Sequence, residues 1–211
     1  MTSKFIAEYL HLMPDVFEGV NSLDDLQKKI KKMVGHPSYA HFSGFLWEYV
    51  VAMYFYKFGE HDTVNVCDYR QTYAGSHGDD ADYGLDGYGV DHEGRKILCQ
   101  VKYRADPKNR IAKSKISTLD TFVQQIVENA ENENGEVIVL LCTTSNEFIN
   151  PAILESMAEN GFTEAVGKMV LAKNAKIQNL KFLVYDVRWW RDRLGNPRFW
   201  NFVRSDVQRG Q

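Results

Sequence analysis

Residues Gly84 to Arg104 read GLDGYGVDHEGRKILCQVKYR, and the fold turns on this stretch. Ile97, Cys99, Val101 and Tyr103 alternate with Leu98, Gln100, Lys102 and Arg104, the period-two pattern of a strand. Successive side chains on a strand leave opposite faces. Gln100 and Lys102 therefore project together, and Cys99, Val101 and Tyr103 face the other way. A second short strand precedes this one across a tight connection, with Asp86 at its start. Pairing Asp91 with Lys96 would give an odd sum of residue numbers and put Asp86 on the wrong face. The sequence thus predicts a five-residue connection or a bulge in this hairpin.

Working upstream, Ser43 to Phe58, SGFLWEYVVAMYFYKF, is apolar almost all round and reads as a buried helix. Its charges are Glu48 and the terminal Lys57. Glu48 is set among Gly44, Phe45, Val51 and Ala52, and an ionised carboxylate buried without a partner is costly. The residues leave open a structural ion pair, a protonated acid and a metal ligand.

Asp86, a short gap, then Gln100-x-Lys102 resembles the PD-(D/E)xK nuclease superfamily, the restriction-endonuclease-like fold. The wording LDG…QVKYR is most similar to the Mrr-like branch, where Gln often replaces the second acid and related domains sit next to helicase modules. The likeness covers roughly Gly44 to Thr144. It implies an α/β domain with a central mixed sheet of four to five strands flanked by helices, in the order αβββαβ. It also implies that an acid on the first core helix reaches a metal, and Gly44-x-x-x-Glu48 fits that role. By this resemblance Asp86, Gln100, the Val101 main-chain carbonyl and Glu48 would hold Mg²⁺, with Mn²⁺ able to substitute, and Lys102 would act on the phosphate. Asp82 competes with Asp86 for the metal. Gln100 gives up one negative charge relative to an acid, which leaves room for a relative that binds DNA without cutting it.

An EF-hand is the rival reading of the same acids, since Asp82, Asp86, Gly87 and Glu93 fall at positions 1, 5, 6 and 12 of such a loop. It fails because Gly84 and Gly89 stand where an oxygen ligand and an apolar residue are needed, and a strand follows instead of a helix.

Along the rest of the chain, Ser3 to Met33 reads as helical, with Ser22 a candidate cap, and Gly35-His36-Pro37 ends it. Thr63 to Thr72 is a first strand, and the Asp-rich segment containing Asp79 and Asp80 is a loop. After Lys102 come Arg104, Lys108, Arg110, Lys113 and Lys115, opposed by Asp106. This basic run reads equally as a solvated loop or as contact to a DNA backbone. Ser117 and Asp120 resemble a capping box for a helix ending near Asn134-Gly135. Glu136 to Thr143 is a near-continuous apolar strand of the parallel type. Asn150-Pro151 opens a helix stopping near Asn160-Gly161, Thr163 to Gln178 favours helix, and Leu180 to Val187 is a last core strand. In the aromatic, arginine-rich tail, Trp189, Trp190 and Trp200 are expected in the core rather than as base-stacking platforms.

The 211 residues suit one domain: an N-terminal helical extension over 1–35, a core over 43–187 and a C-terminal extension over 188–211. Cys67, Cys99 and Cys142 lie far apart in strand-like stretches and are expected to be buried free thiols. With no signal-peptide pattern and no apolar run of membrane-spanning length, an intracellular location follows as the expectation, cytoplasmic or nuclear. A net charge of −3 argues against indiscriminate nucleic-acid binding, so DNA contact would come from local basic patches. The functional expectations are a Mg²⁺-dependent DNA endonuclease, alone or with a helicase module; a nuclease-fold DNA-binding module; or a junction-resolving nuclease, which would require a homodimer.

Overall fold

The computed structural model describes residues 11–35, 39–59, 66–71, 85–108, 119–133, 135–145 and 161–209. Their centre is a five-stranded mixed sheet, strands in chain order from edge to edge: β1 (Val66–Gln71), β2 (Gly87–Asp91), β3 (Lys96–Lys102), β4 (Val137–Thr143) and β5 (Leu180–Tyr185). The first three are antiparallel neighbours, whereas β3, β4 and β5 run parallel. Parallel neighbours need a crossover. Helix α4 (Leu119–Glu131) lies between β3 and β4 in the chain, and α5 (Gly161–Lys173) between β4 and β5.

The remaining helices are α1 (Met13–Phe17), α2 (Leu23–Lys32), α3 (Tyr39–Phe58), α6 (Val187–Arg193) and α7 (Pro197–Arg209). Strand alternation divides the core in two. Ile97, Cys99 and Val101 of β3, with Ile138, Leu140 and Cys142 of β4, pack against Trp47, Val50 and Val51 of α3 and the buried residues of α1, α2, α6 and α7. Leu98, Val137, Val139 and Leu141 leave the other face and meet Phe122, Val123 and Ile126 of α4 and Val166 and Val170 of α5. All seven residues of β4 are buried, as a central parallel strand covered on both faces requires.

Local chemistry explains the boundaries. The Ser22 hydroxyl accepts from the Asp25 amide at 3.1 Å and caps α2, an interaction typically worth about 1 kcal/mol. The single helix expected up to Met33 is instead two, α1 carrying Pro14 in its first turn, which a proline fits well. Residues 3–10 of that expectation lie outside the described residues, as do His36, Pro37, Ser117 and Pro151. Gly161–Lys173 is helical, whereas the helix expected from Asn150-Pro151 to Asn160 lies outside the described residues. The last strand stops at Tyr185 because the Asp186 carboxylate turns to accept the Arg188 and Trp189 amides and caps α6.

The tail closes the α3 face. Trp190 and Trp200 are fully buried, and Trp190 meets Trp47 edge-on with centroids 5.1 Å apart. Trp189 stacks on Tyr185 at 3.8 Å and 9°. All three cysteines are free, but Cys67 is exposed, contrary to its expected burial. The β1–β2 register steps between Val66 and Asp68, so Cys67 falls in a bulge, where alternation no longer sets the face. Among the described residues no helix is long and apolar enough to cross a membrane.

Candidate active site at the open end of the hairpin

The β2–β3 hairpin has the register its acids require. Val90 pairs with Lys96 and Gly87 with Cys99, leaving five residues, Asp91 to Arg95, as the connection. Within it the Gly94 amide donates to the Asp91 carbonyl at 3.0 Å, and Gly94 takes φ 78°, a left-handed conformation natural to glycine. The Asp91 carboxylate fills this turn. Its Oδ1 accepts from the Glu93 and Arg95 amides at 2.9 and 2.8 Å, and its Oδ2 from Arg95 Nε at 2.6 Å. Burial alone would raise the Asp91 pKa; the Arg95 guanidinium and these amides outweigh it and hold the carboxyl below its ordinary value.

At the other end β3 outruns its partner. The Asp86 amide donates to the Cys99 carbonyl at 3.0 Å, although Gly87 already faces Cys99, so two residues meet one. Such a step re-aims a side chain. Here the Asp86 carboxylate accepts from the Val101 amide at 2.7 Å, taking the place of the backbone acceptor that a longer β2 would have supplied. Within a strand the N–H and C=O of one residue point to the same side, so the Val101 carbonyl also faces Asp86. Lys102 Nζ stands 3.9 Å from the same Asp86 oxygen.

Gln100 and Lys102 share the face of Leu98 and Leu141, and they sit opposite Leu141 and Thr143 across the parallel β3–β4 pair. The Gln100 side chain is engaged within the fold and 2% exposed. Glu48, half-buried and likewise engaged, belongs to α3, which covers the opposite face of β3. The structure therefore groups Asp86, Val101 and Lys102 directly.

Two contributions were missed in the sequence. Tyr69 of β1 lies across Gly87: a Cβ there would stand 1.9 Å from the phenol oxygen. Burial first, then Cys99, Cys142 and Asp86, push the Tyr69 phenol well above its ordinary pKa, so it stays a neutral donor beneath the site. The Gly87-x-Gly89 spacing opposite an aromatic was the available signal. The second is the buried trio Thr143, Thr144 and Ser145 at the end of β4. Thr144 Oγ1 accepts from the Arg104 amide at 2.6 Å and donates to the Arg104 carbonyl at 2.9 Å, while Ser145 Oγ donates to the Pro107 carbonyl at 3.1 Å. Polar residues directly after an apolar strand marked them.

Arg104 is half-buried and Lys108 exposed, whereas Asp79, Asp80, Asp82, Arg110, Lys113 and Lys115 lie outside the described residues. Among the described residues no three His, Cys, Asp or Glu side chains gather closely enough to hold a metal ion. The set argued here contains two acids, Asp86 and Glu48, and its other donors are a carbonyl and an amide oxygen. Those are hard oxygen donors of the kind Mg²⁺ takes, with no soft ligand among them. No protein-family model matches the chain, and no curated protein compared with it is a significant match.

Proposed function

We propose that this chain is a Mg²⁺-dependent DNA endonuclease of the PD-(D/E)xK, restriction-endonuclease-like kind, most similar to the Mrr-like branch. The observation carrying the reading is that the Asp86 carboxylate bonds the Val101 amide at 2.7 Å and stands 3.9 Å from Lys102 at an open strand end. The order of one buried helix, three antiparallel strands, a crossover helix and a parallel strand supports it. Asp86, the Val101 carbonyl and the Gln100 amide oxygen would hold the ion, with Glu48 completing the set directly or through water. Mg²⁺ bound there supplies polarisation of the phosphate and a water of lowered pKa.

The protein's own groups then do the rest. Asp86 is oriented by the Val101 amide, so its carboxylate needs no reorganisation. Lys102 offsets charge developing on the phosphoryl oxygens and orients the attacking water, and as an ammonium it needs to lose no proton for this. The test is nicking of supercoiled plasmid with Mg²⁺ or Mn²⁺. The wild-type chain should cut and Lys102→Ala should not; equal conversion by both would sink the assignment.

A DNA-binding module that keeps this fold without cutting is the second reading. Gln100 favours it, because a neutral amide in place of an acid weakens the hold on a divalent cation. Retardation of duplex DNA with no nicking at any Mn²⁺ concentration would select it. Helicase modules and a homodimer belong to the proposal as partners. Mass photometry with and without four-way junction DNA would read the dimer expected of a junction-resolving enzyme.

A further inference from the structure

Several cations of this fold are answered by acids. Arg95 has Asp91, Glu93 and Glu136; Lys96 has Glu133; Arg191 has Asp24; Lys102 has Asp86. Arg104 is held differently. Its guanidinium donates to the carbonyl of its own neighbour Tyr103 at 2.8 Å, and among the described residues no carboxylate pairs with it. Burial lowers its pKa, with no acid acting the other way. Holding a partly desolvated cation without a counter-charge is costly.

The backbone around Arg104 is nevertheless fixed. Its amide and carbonyl are both tied to Thr144 Oγ1, and the Thr144 amide donates to the Lys102 carbonyl at 3.3 Å. Thr144 itself is fully buried. A cation on a rigid mount, open to an anion, is a preorganised seat, and the planar guanidinium suits a phosphate diester. Arg104 follows Lys102 by two residues, about 6.6 Å along an extended chain. That is on the order of the step between successive phosphates of a nucleic-acid strand.

We propose that Arg104 binds the DNA phosphate neighbouring the one that Asp86 and Lys102 address, so that the site requires a run of backbone phosphates. This rests on the nuclease reading of Asp86 and Lys102. It adds a substrate-binding residue that takes no part in the bond cleavage.

The experiment has two arms, both with the full chain. In the first, binding of a fluorescent DNA duplex is followed by anisotropy in Ca²⁺ across a KCl series. Arg104→Gln should reduce the slope of log K against log salt by about 0.9, the amount for one phosphate contact, while Arg104→Lys keeps the slope. In the second, cleavage in Mg²⁺ should show KM raised about tenfold by Arg104→Gln with kcat within twofold, the pattern of uniform binding. Lys102→Ala should instead lower kcat. An unchanged slope and unchanged KM overturn the inference and leave the nuclease reading intact. A fall in kcat at constant KM also overturns it, by placing Arg104 on the scissile phosphate. A wild-type chain that binds but never cuts, yet shows the slope change, removes the nuclease reading and keeps the phosphate seat. A chain that binds no DNA removes both.

Discussion

The two ends of the β2–β3 hairpin carry similar residues and use them in opposite ways. At the turn, Asp91 is almost wholly buried and meets Arg95 at 2.6 Å, with two backbone amides completing its shell. Arg95 reaches on to Glu136, and neighbouring Lys96 to Glu133, so this end ties the hairpin to the segment leading into β4. At the open end, Lys102 holds off at 3.9 Å from Asp86, and the Arg104 guanidinium donates to the Tyr103 carbonyl. A carboxylate enclosed by matched donors stabilises one geometry and has nothing left to offer a ligand. A carboxylate at a strand end with its cation held off at 3.9 Å sits in a looser setting. Burial and pairing distance, more than residue type, distinguish the two ends.

The sharpest way to break this comparison is to change the open end and watch chemistry alone respond. Lys102→Ala should reduce plasmid nicking by a factor on the order of 10²–10³, the scale for losing one preorganised electrostatic group. Its thermal midpoint should stay within a few degrees of wild type, because the Lys102–Asp86 contact is long and partly exposed. A large drop in midpoint would make Lys102 structural.

The converse substitution is Asp91→Ala, expected to cost about 2–3 kcal/mol in chemical denaturation, since it leaves two turn amides without their acceptor and removes the nearest of the three carboxylates around Arg95. The pH dependence sharpens this. The Asp91 pKa is depressed in the folded chain, so its stabilisation is complete above the unfolded value of about 3.9 and fades as pH falls through the lower folded value. The wild-type advantage over Asp91→Asn should therefore be constant from neutral pH down to about 5 and shrink below about 4. An advantage that grew on acidification would contradict the assignment.

Gly87→Ala probes the seam between the two ends. The added methyl meets Tyr69, and overpacking of this kind costs about 1–3 kcal/mol. Because Tyr69 lies under Asp86, activity should fall together with stability, and the paired change Gly87→Ala/Tyr69→Phe should recover part of both. The smallest effect belongs to Thr144→Val, near 1 kcal/mol in stability for the lost hydroxyl bonds. Its KM for DNA should rise in step with that of Arg104→Gln, since the clamp on the Arg104 backbone is gone.

Much of this architecture was legible in the sequence. The hairpin follows from alternation, with parity narrowing its connection to five residues or a bulge, β4 follows from its unbroken apolar run, and the α2 start from Ser22. These signals are local, and local physics sets them. Cys67 was misread because a bulge displaces it from the alternation, and a bulge arises from the register between two chains, which one strand cannot display. The early stop of β5 was hidden for a related reason: Asp186 could continue a strand or cap a helix until Trp190 finds its place in the core. In the site, Asp86, Gln100 and Lys102 could be picked out by type and spacing. The Asp86 bond to the Val101 amide could not, since it exists only because β2 ends one residue early. Nor could the Thr144 clamp on the Arg104 backbone, which needs the end of β4 beside the end of β3.

The parallel pairing of β3 with β4 bears on how such a chain is made. A ribosome releases β1, β2 and β3 as a meander that can close at once through its turns. The far edge of β3 then stays uncovered until α4 and the buried, largely apolar β4 have also emerged. Sequence-distant pairings of this sort form late, and an unpaired edge beside a hydrophobic strand is a site for wrongful association. Efficient production of this protein should accordingly depend on slow, cool synthesis or on chaperones that shield β3 during that interval.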